Sequence, residues 1–156
     1  MKKVLIALDY DPSAQKIAEA GFSLAKAMNA QVVLIHVISD PVFYSSTAYS
    51  PVMGFGGFAD MDFMQPNIID ELKKAAHEFL NKSKIHLGDT DIETLVKEGD
   101  EADMILEAAK ESNADLIILG SHSQRWLEAM VIGSVTEKVL RYTTVSLFII
   151  PTKSLD

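Results

Sequence analysis

Residues 4–38 read VLIALDYDPSAQKIAEAGFSLAKAMNAQVVLIHVI. Val4-Leu5-Ile6-Ala7-Leu8 is continuously apolar, as a strand covered on both faces is. Asp11-Pro12 then supplies a helix N-cap and a proline for the first helical position. Ile17, Ala20, Gly21, Leu24, Ala25 and Met28 follow at spacings of three and four, one face of a helix. Gln31 to Ile38 is a second buried strand. Strand, helix and strand in this order form the repeating unit of a parallel sheet.

The alternation continues outward from this stretch. Ile68, Leu72, Ala75, Ala76 and Phe79 mark a helix from about Asn67 to Lys84. Ile92 to Val96 is a shorter, more polar strand, expected nearer a sheet edge. Gly99-Asp100 opens a helix carrying Ala102, Ile105, Leu106 and Ala109. Leu116 to Leu119 is a fourth strand, Ser134 starts the last helix, and Val145 to Ile150 is a fifth strand stopped by Pro151. The expected fold class is α/β. It is a single doubly wound, Rossmann-like domain over residues 1–156, with a five-stranded parallel sheet and helices on both faces. Such sheets take ligands beyond the carboxyl ends of their strands, where the strand order reverses. Asp9, ending the first strand, and Gly120, ending the fourth, are then expected to share one crevice.

Composition narrows the functions available. The 156 residues carry a net charge of −8 with no run of Lys or Arg, which argues against a nucleic-acid partner. With no Cys there is no disulfide, thiol catalysis or Cys-based metal site. Asp9 cuts the first apolar run too short for a signal peptide, and no stretch approaches a membrane span. A cytoplasmic protein is expected. Residues 39–65 form a connection longer than the ~12–15 residues usual for structureless loops. It is rich in aromatic and Met side chains, among them Phe43, Tyr44, Tyr49, Phe55 and Phe63. Two readings stand for it: a segment packed over the sheet end or a partner subunit, or a lid over a ligand.

Residues 119–140 hold the candidate chemistry, LGSHSQRWLEAMVIGSVTEKVL. Gly120 follows a buried strand, where lack of a side chain lets the backbone turn out over the crevice. Gly133-Ser134 precedes a helix start, and Ser134 to Glu137 has capping-box spacing. Amides at a helix start attract anions, so a phosphate could sit at Ser134 with Arg125 assisting. The alternative is an N-cap with no ligand. The stretch is neither a P-loop nor a GxGxxG fingerprint. Ser121, Ser123 and Ser134 have no evident general base, which leaves a hydrolase without support. His36 reads as a satisfied core histidine, His77 and His86 as surface residues, and Trp126 as a packing anchor.

With VLIALD at the start, LIHV in the second strand and VSLFIIP at the end, the stretch LGSHS…IGSVTEKVL resembles the universal stress protein family, nucleotide-binding type, over essentially the whole chain. The family signature is Gly-x2-Gly-x9-Gly-Ser/Thr. Gly120 and Gly133-Ser134 match it, and Ser123 replaces the middle glycine. The resemblance implies ATP as ligand, with a divalent ion such as Mg²⁺ on its phosphates. It implies Ala7, Leu8 and Asp9 against the adenosine, Asp9 toward ribose hydroxyls or Mg²⁺, and Val37 over adenine. Ribose and phosphates would fall to Leu119, Gly120, His122, Ser123 and Arg125, then Gly133, Ser134, Val135 and Thr136. It also implies a homodimer through Val145 to Ile150, an apolar strand expected at a sheet edge. The implied role is a sensor or regulator of stress or energy state with at most slow hydrolysis. The alternative is a dimeric interaction module that has lost its nucleotide at Ser123.

Overall fold

A computed structural model describes residues 2–10, 12–39, 68–121 and 132–152. Their elements run β1 (Lys3–Ala7), α1 (Ala14–Ala27), β2 (Gln31–Ile38), α2 (Ile68–Leu87), β3 (Glu93–Glu98), α3 (Glu101–Glu111), β4 (Leu116–Gly120), α4 (Ser134–Tyr142) and β5 (Ser146–Ile150). The strands make one five-stranded sheet in the order β3-β2-β1-β4-β5, with every pair parallel. The chain builds outward from β1 through β2 to β3, then returns to the far side of β1 for β4 and β5. The order therefore reverses between β1 and β4, and their carboxyl ends diverge over a crevice there.

Alternation along the strands divides the core into two layers. Val4, Ile6, Leu34 and Ile118 face α1 and α2, which contribute Ile17, Ala18, Leu72, Ala76 and Phe79. Leu5, Val33, Ile35, Val37, Ile117 and Leu119 face α3 and α4, which contribute Ala102, Ile105, Ala108, Ala109 and Val139. Central strands buried on both sides must be apolar at consecutive positions, which is why β1, β2 and β4 are legible as runs. Both edges are partly exposed: β3 carries charge at Glu93, Lys97 and Glu98, and β5 leaves Phe148 45% exposed.

Helix ends are set by local hydrogen bonding, and here the structure departs from the sequence expectation. The N-cap of α1 is Ser13, without a side-chain cap bond, and Pro12 precedes the helix; Asp11 lies outside the described residues. At the other end Asn29 takes φ 55°, its N–H donates to the Lys26 carbonyl, and the Ala30 N–H donates to Ala25. The same pair of bonds closes α3 around Asn113, also at φ 55°. Asn tolerates this left-handed conformation, so each helix stops and turns directly into the next strand. Gly99, at φ 138°, makes the tight turn from β3 into α3 and donates its N–H to the Ile38 carbonyl at 3.0 Å. That bond fixes the start of α3 over the end of β2.

The long connection of residues 39–65 lies almost wholly outside the described residues. Among the described residues no helix is long and apolar enough to cross a membrane.

Candidate functional site

A cavity opens where the carboxyl ends of β1, β2 and β4 meet the amino ends of α1, α3 and α4. It holds about 440 Å³ of empty space, open solvent at its mouth included. Ala7, Leu8 and Asp9 line it from β1, Ile35 and Val37 from β2, and Leu119 and Gly120 from β4. The helices add Ala14 and Ile17 from α1, Glu101 and Ile105 from α3, and Val135 and Thr136 from α4. Most of this wall is aliphatic. Its polar side chains among the described residues are Asp9, Glu101 and Thr136.

Gly120 is a glycine for reasons of space. A Cβ there would come within 2.5 Å of Ile17 Cδ1 and 2.7 Å of Thr152 Cγ2. Positive φ is found at Gly88 and Gly99, and Gly120 is not among them. The sequence expectation of a freed backbone turn is therefore replaced by one of close packing. The Gly120 carbonyl accepts the buried Thr136 hydroxyl at 2.8 Å, so Thr136 pins the start of α4 to the end of β4. One residue further on, the Gly133 N–H donates to the Ser121 carbonyl at 2.8 Å. These two bonds hold the mouth of α4 beside the crevice.

The expected capping box does not form. Gly133 is the N-cap of α4, without a side-chain cap bond, and Ser134 is the first helical residue. Glu137 turns away to Arg141 at 2.9 Å. A glycine N-cap leaves the first amides of the helix uncovered by its own side chain, at the positive end of the helix dipole.

The carboxyl groups follow different rules. Asp9 is buried, and its Oδ1 accepts the Tyr10 N–H at 2.7 Å. Glu101 stands at the first position of α3, where the helix dipole favours a charged carboxylate. Burial nevertheless pushes its pKa well above the usual carboxylate range, and the negative charges of Asp9 and Asp100 push it further. Glu101 keeps part of its surface exposed, yet desolvation outweighs the dipole. Asp100 goes the other way: its side chain accepts the Asp103 N–H at 3.0 Å as the N-cap and pairs with Lys138 at 3.0 Å, which lowers its pKa. Lys138 also reaches Asp103 at 3.0 Å, linking α4 to α3.

The match to the universal stress protein family covers residues 1–151. The chain belongs to that family. It is 30% identical over 150 residues to the universal stress protein YxiE of Bacillus subtilis (strain 168), spanning 95% of this chain and 97% of that one. The solved structure of the hypothetical protein MJ0577 superposes with a TM-score of 0.74 at 22% identity, covering 99% of this chain and 98% of the other. A universal stress protein solved in complex with cAMP superposes with a TM-score of 0.62 at 22% identity, covering 97% and 98%. At these identities the structural likeness is one of fold.

In this universal stress protein, Ala7, Leu8, Asp9, Val37, Leu119, Gly120, Val135 and Thr136 come together on one cavity. Gly133 caps α4 beside it, and Ser134 lies on the outer surface with Glu137, Lys138, Arg141 and Tyr142. His122, Ser123 and Arg125 lie outside the described residues, as does Trp126. Sequence reasoning missed Ala14, Ile17, Ile35, Glu101 and Ile105. The Gly99-Asp100 helix start was visible, but nothing in it says which strand ends come to lie beside Glu101.

Proposed function

We propose that this protein binds ATP in the cavity at the reversal of strand order and acts as a sensor or regulator of stress or energy state. What carries the reading is that eight residues associated with adenosine and phosphates from the sequence line one mostly apolar cavity ending at the mouth of α4. Apolar walls suit a base, and helix-terminal amides suit phosphates in a chain of net charge −8. A universal stress protein of the same fold is in complex with cAMP, which supports an adenine nucleotide as the ligand class. Among the described residues no group of three or more His, Asp or Glu could hold a metal ion. Mg²⁺ would arrive on the triphosphate, and Asp9 would accept from the ribose hydroxyls. Hydrolysis is at most slow, and the protein is placed in the cytoplasm on this reading.

Calorimetric titration of the full chain with ATP plus Mg²⁺, and with cAMP, tests the proposal. Binding heat and a thermal shift are expected. Neither signal at millimolar nucleotide would retire the nucleotide and leave the second reading, an interaction module without a ligand, which Ser123 in the family's glycine position favours.

The same reading includes a homodimer through Val145 to Ile150. Its support is the position of β5 at the sheet edge and its exposed Phe148, 45% open. Leu147→Lys or Phe148→Lys should give a monomer by light scattering, and an intact dimer would exclude that edge.

A further inference from the structure

The cavity has two chemically distinct ends. Sheet order places β2 and β4 on opposite sides of β1, and adjacent strands lie about 4.8 Å apart, so the two ends are separated by roughly 10 Å. Gly120, Val135 and Thr136 make the β4 end, beside the amino terminus of α4. Ile35, Val37, Ile105 and Glu101 make the β2 end. That separation is comparable to the reach of a nucleoside from base to 5′-phosphate. With phosphates at α4, as the nucleotide reading has it, the base falls between the aliphatic side chains of β2 and α3, against Glu101.

We propose that Glu101 reads the base, presenting its carboxyl as a hydrogen-bond donor and acceptor to the N1 and 6-amino edge of adenine. Three observations support this. Glu101 is on the cavity wall, fixed there by the Gly99 turn bonded to Ile38 and by the Asp100 cap on Asp103. Its carboxyl makes no hydrogen bond among the described residues, whereas Asp100 next to it is engaged by both Asp103 and Lys138. Burial and the neighbouring negative charges favour its neutral form. A neutral carboxyl pairs one O–H and one carbonyl oxygen, which matches the acceptor N1 and the donor amino group of adenine. An ionised carboxylate offers acceptors alone, which matches the N1–H and 2-amino donors of guanine instead.

The charged groups around Glu101 are Asp9 at the end of β1, Asp100 and Asp103 on its own helix, and Lys138 from α4, which is held by those two aspartates. From β3, Lys97 is taken up by Glu107 and Glu111 farther along α3. From β2, His36 accompanies the opposite layer, against Tyr10 and Phe79.

The experiment is calorimetry with Mg²⁺ salts of ATP, GTP and tripolyphosphate from pH 6.5 to 9, on wild type, Glu101→Gln and Glu101→Ala. Wild type is expected to prefer ATP to GTP by at least about tenfold at the acid end, with the preference shrinking as pH rises. Glu101→Gln, a permanent donor and acceptor, should keep ATP affinity and lose that pH dependence. Glu101→Ala should lose about tenfold for ATP and nothing for tripolyphosphate, which has no base to read. Equal ATP affinity in wild type and Glu101→Ala, or a pH-dependent preference that survives in Glu101→Gln, overturns the role of Glu101 alone. No uptake of ATP by wild type overturns it together with the nucleotide reading.

Discussion

His36 and Glu101 are both pushed toward their neutral forms by burial, and the protein treats them in opposite ways. His36 is fully buried on β2, its Nδ1–H donates to the Leu8 carbonyl at 2.9 Å, and Tyr10 and Phe79 close around its ring at centroid distances of 4.3 and 5.8 Å. Burial lowers its pKa from 6.5 to about 4, so it is held neutral. Tyr10 beside it is pushed above its ordinary range by burial and by the Asp9 carboxylate. This is a polar group absorbed into a packed core and satisfied there. Glu101 sits at a helix start on a cavity wall, with its carboxyl left without a hydrogen bond among the described residues. A buried polar group with its bond made is structure; one held open on a cavity is capacity for a ligand.

That contrast can be broken by mutation, most severely on the core side. Phe79→Ala removes a ring packed on both Tyr10 and His36 and should cost about 3–5 kcal/mol in chemical denaturation. A loss under about 1 kcal/mol would mean the cluster is not a tight core. Next comes acid. The unfolded chain takes up a proton at His36 near pH 6.5 and the folded chain only near 4, so stability is complete above 6.5 and falls as pH drops between those values. The loss should approach roughly 3 kcal/mol at pH 4, and a His36→Asn variant should show a flatter acid limb in urea melts. An unchanged acid limb would contradict a neutral buried histidine.

On the cavity side the effects move to binding. Gly133→Asp puts a carboxylate at the mouth of α4 and should weaken ATP at least about tenfold, while an Asp N-cap leaves the melting temperature near wild type. Unchanged ATP affinity would put the phosphates elsewhere. The smallest change is expected from Ser123→Gly, which restores the family's glycine. If a serine there costs about 1 kcal/mol of conformational strain, ATP binding tightens by roughly fivefold. A weaker variant would make the serine hydroxyl itself a ligand.

Much of the architecture was legible because a parallel sheet leaves its central strands no solvent face. Val4 to Leu8, Val32 to Ile35 and Leu116 to Leu119 are apolar without interruption, and β3 betrayed its edge position by its charges. Helix boundaries were less legible. Asp11-Pro12 and Ser134-x-x-Glu137 both spell helix starts, yet the N-caps are Ser13 and Gly133. Local spelling names residues able to cap, and the backbone chooses among them by which carbonyls and neighbours are in reach. Glu137, for instance, pairs with Arg141.

The cavity divides along the same line. Residues at strand ends and in the Gly120–Ser134 stretch could be named because they are close to a recognisable pattern. Glu101, Ile105, Ile35, Ala14 and Ile17 could not, since nothing in a helix start or an aliphatic run says which other strand will end beside it. The amino-acid order by itself determined the alternation of strand and helix, the two buried layers and the neighbourhood of the crevice, because hydrophobic periodicity is a property of the chain. Folding in three dimensions decided that Gly120 must lack a side chain against Ile17 and Thr152, and that burial and the charge of Asp9 hold Glu101 toward its neutral form. Close contact and desolvation depend on what the sheet brings together across about a hundred residues, and no local stretch contains that information.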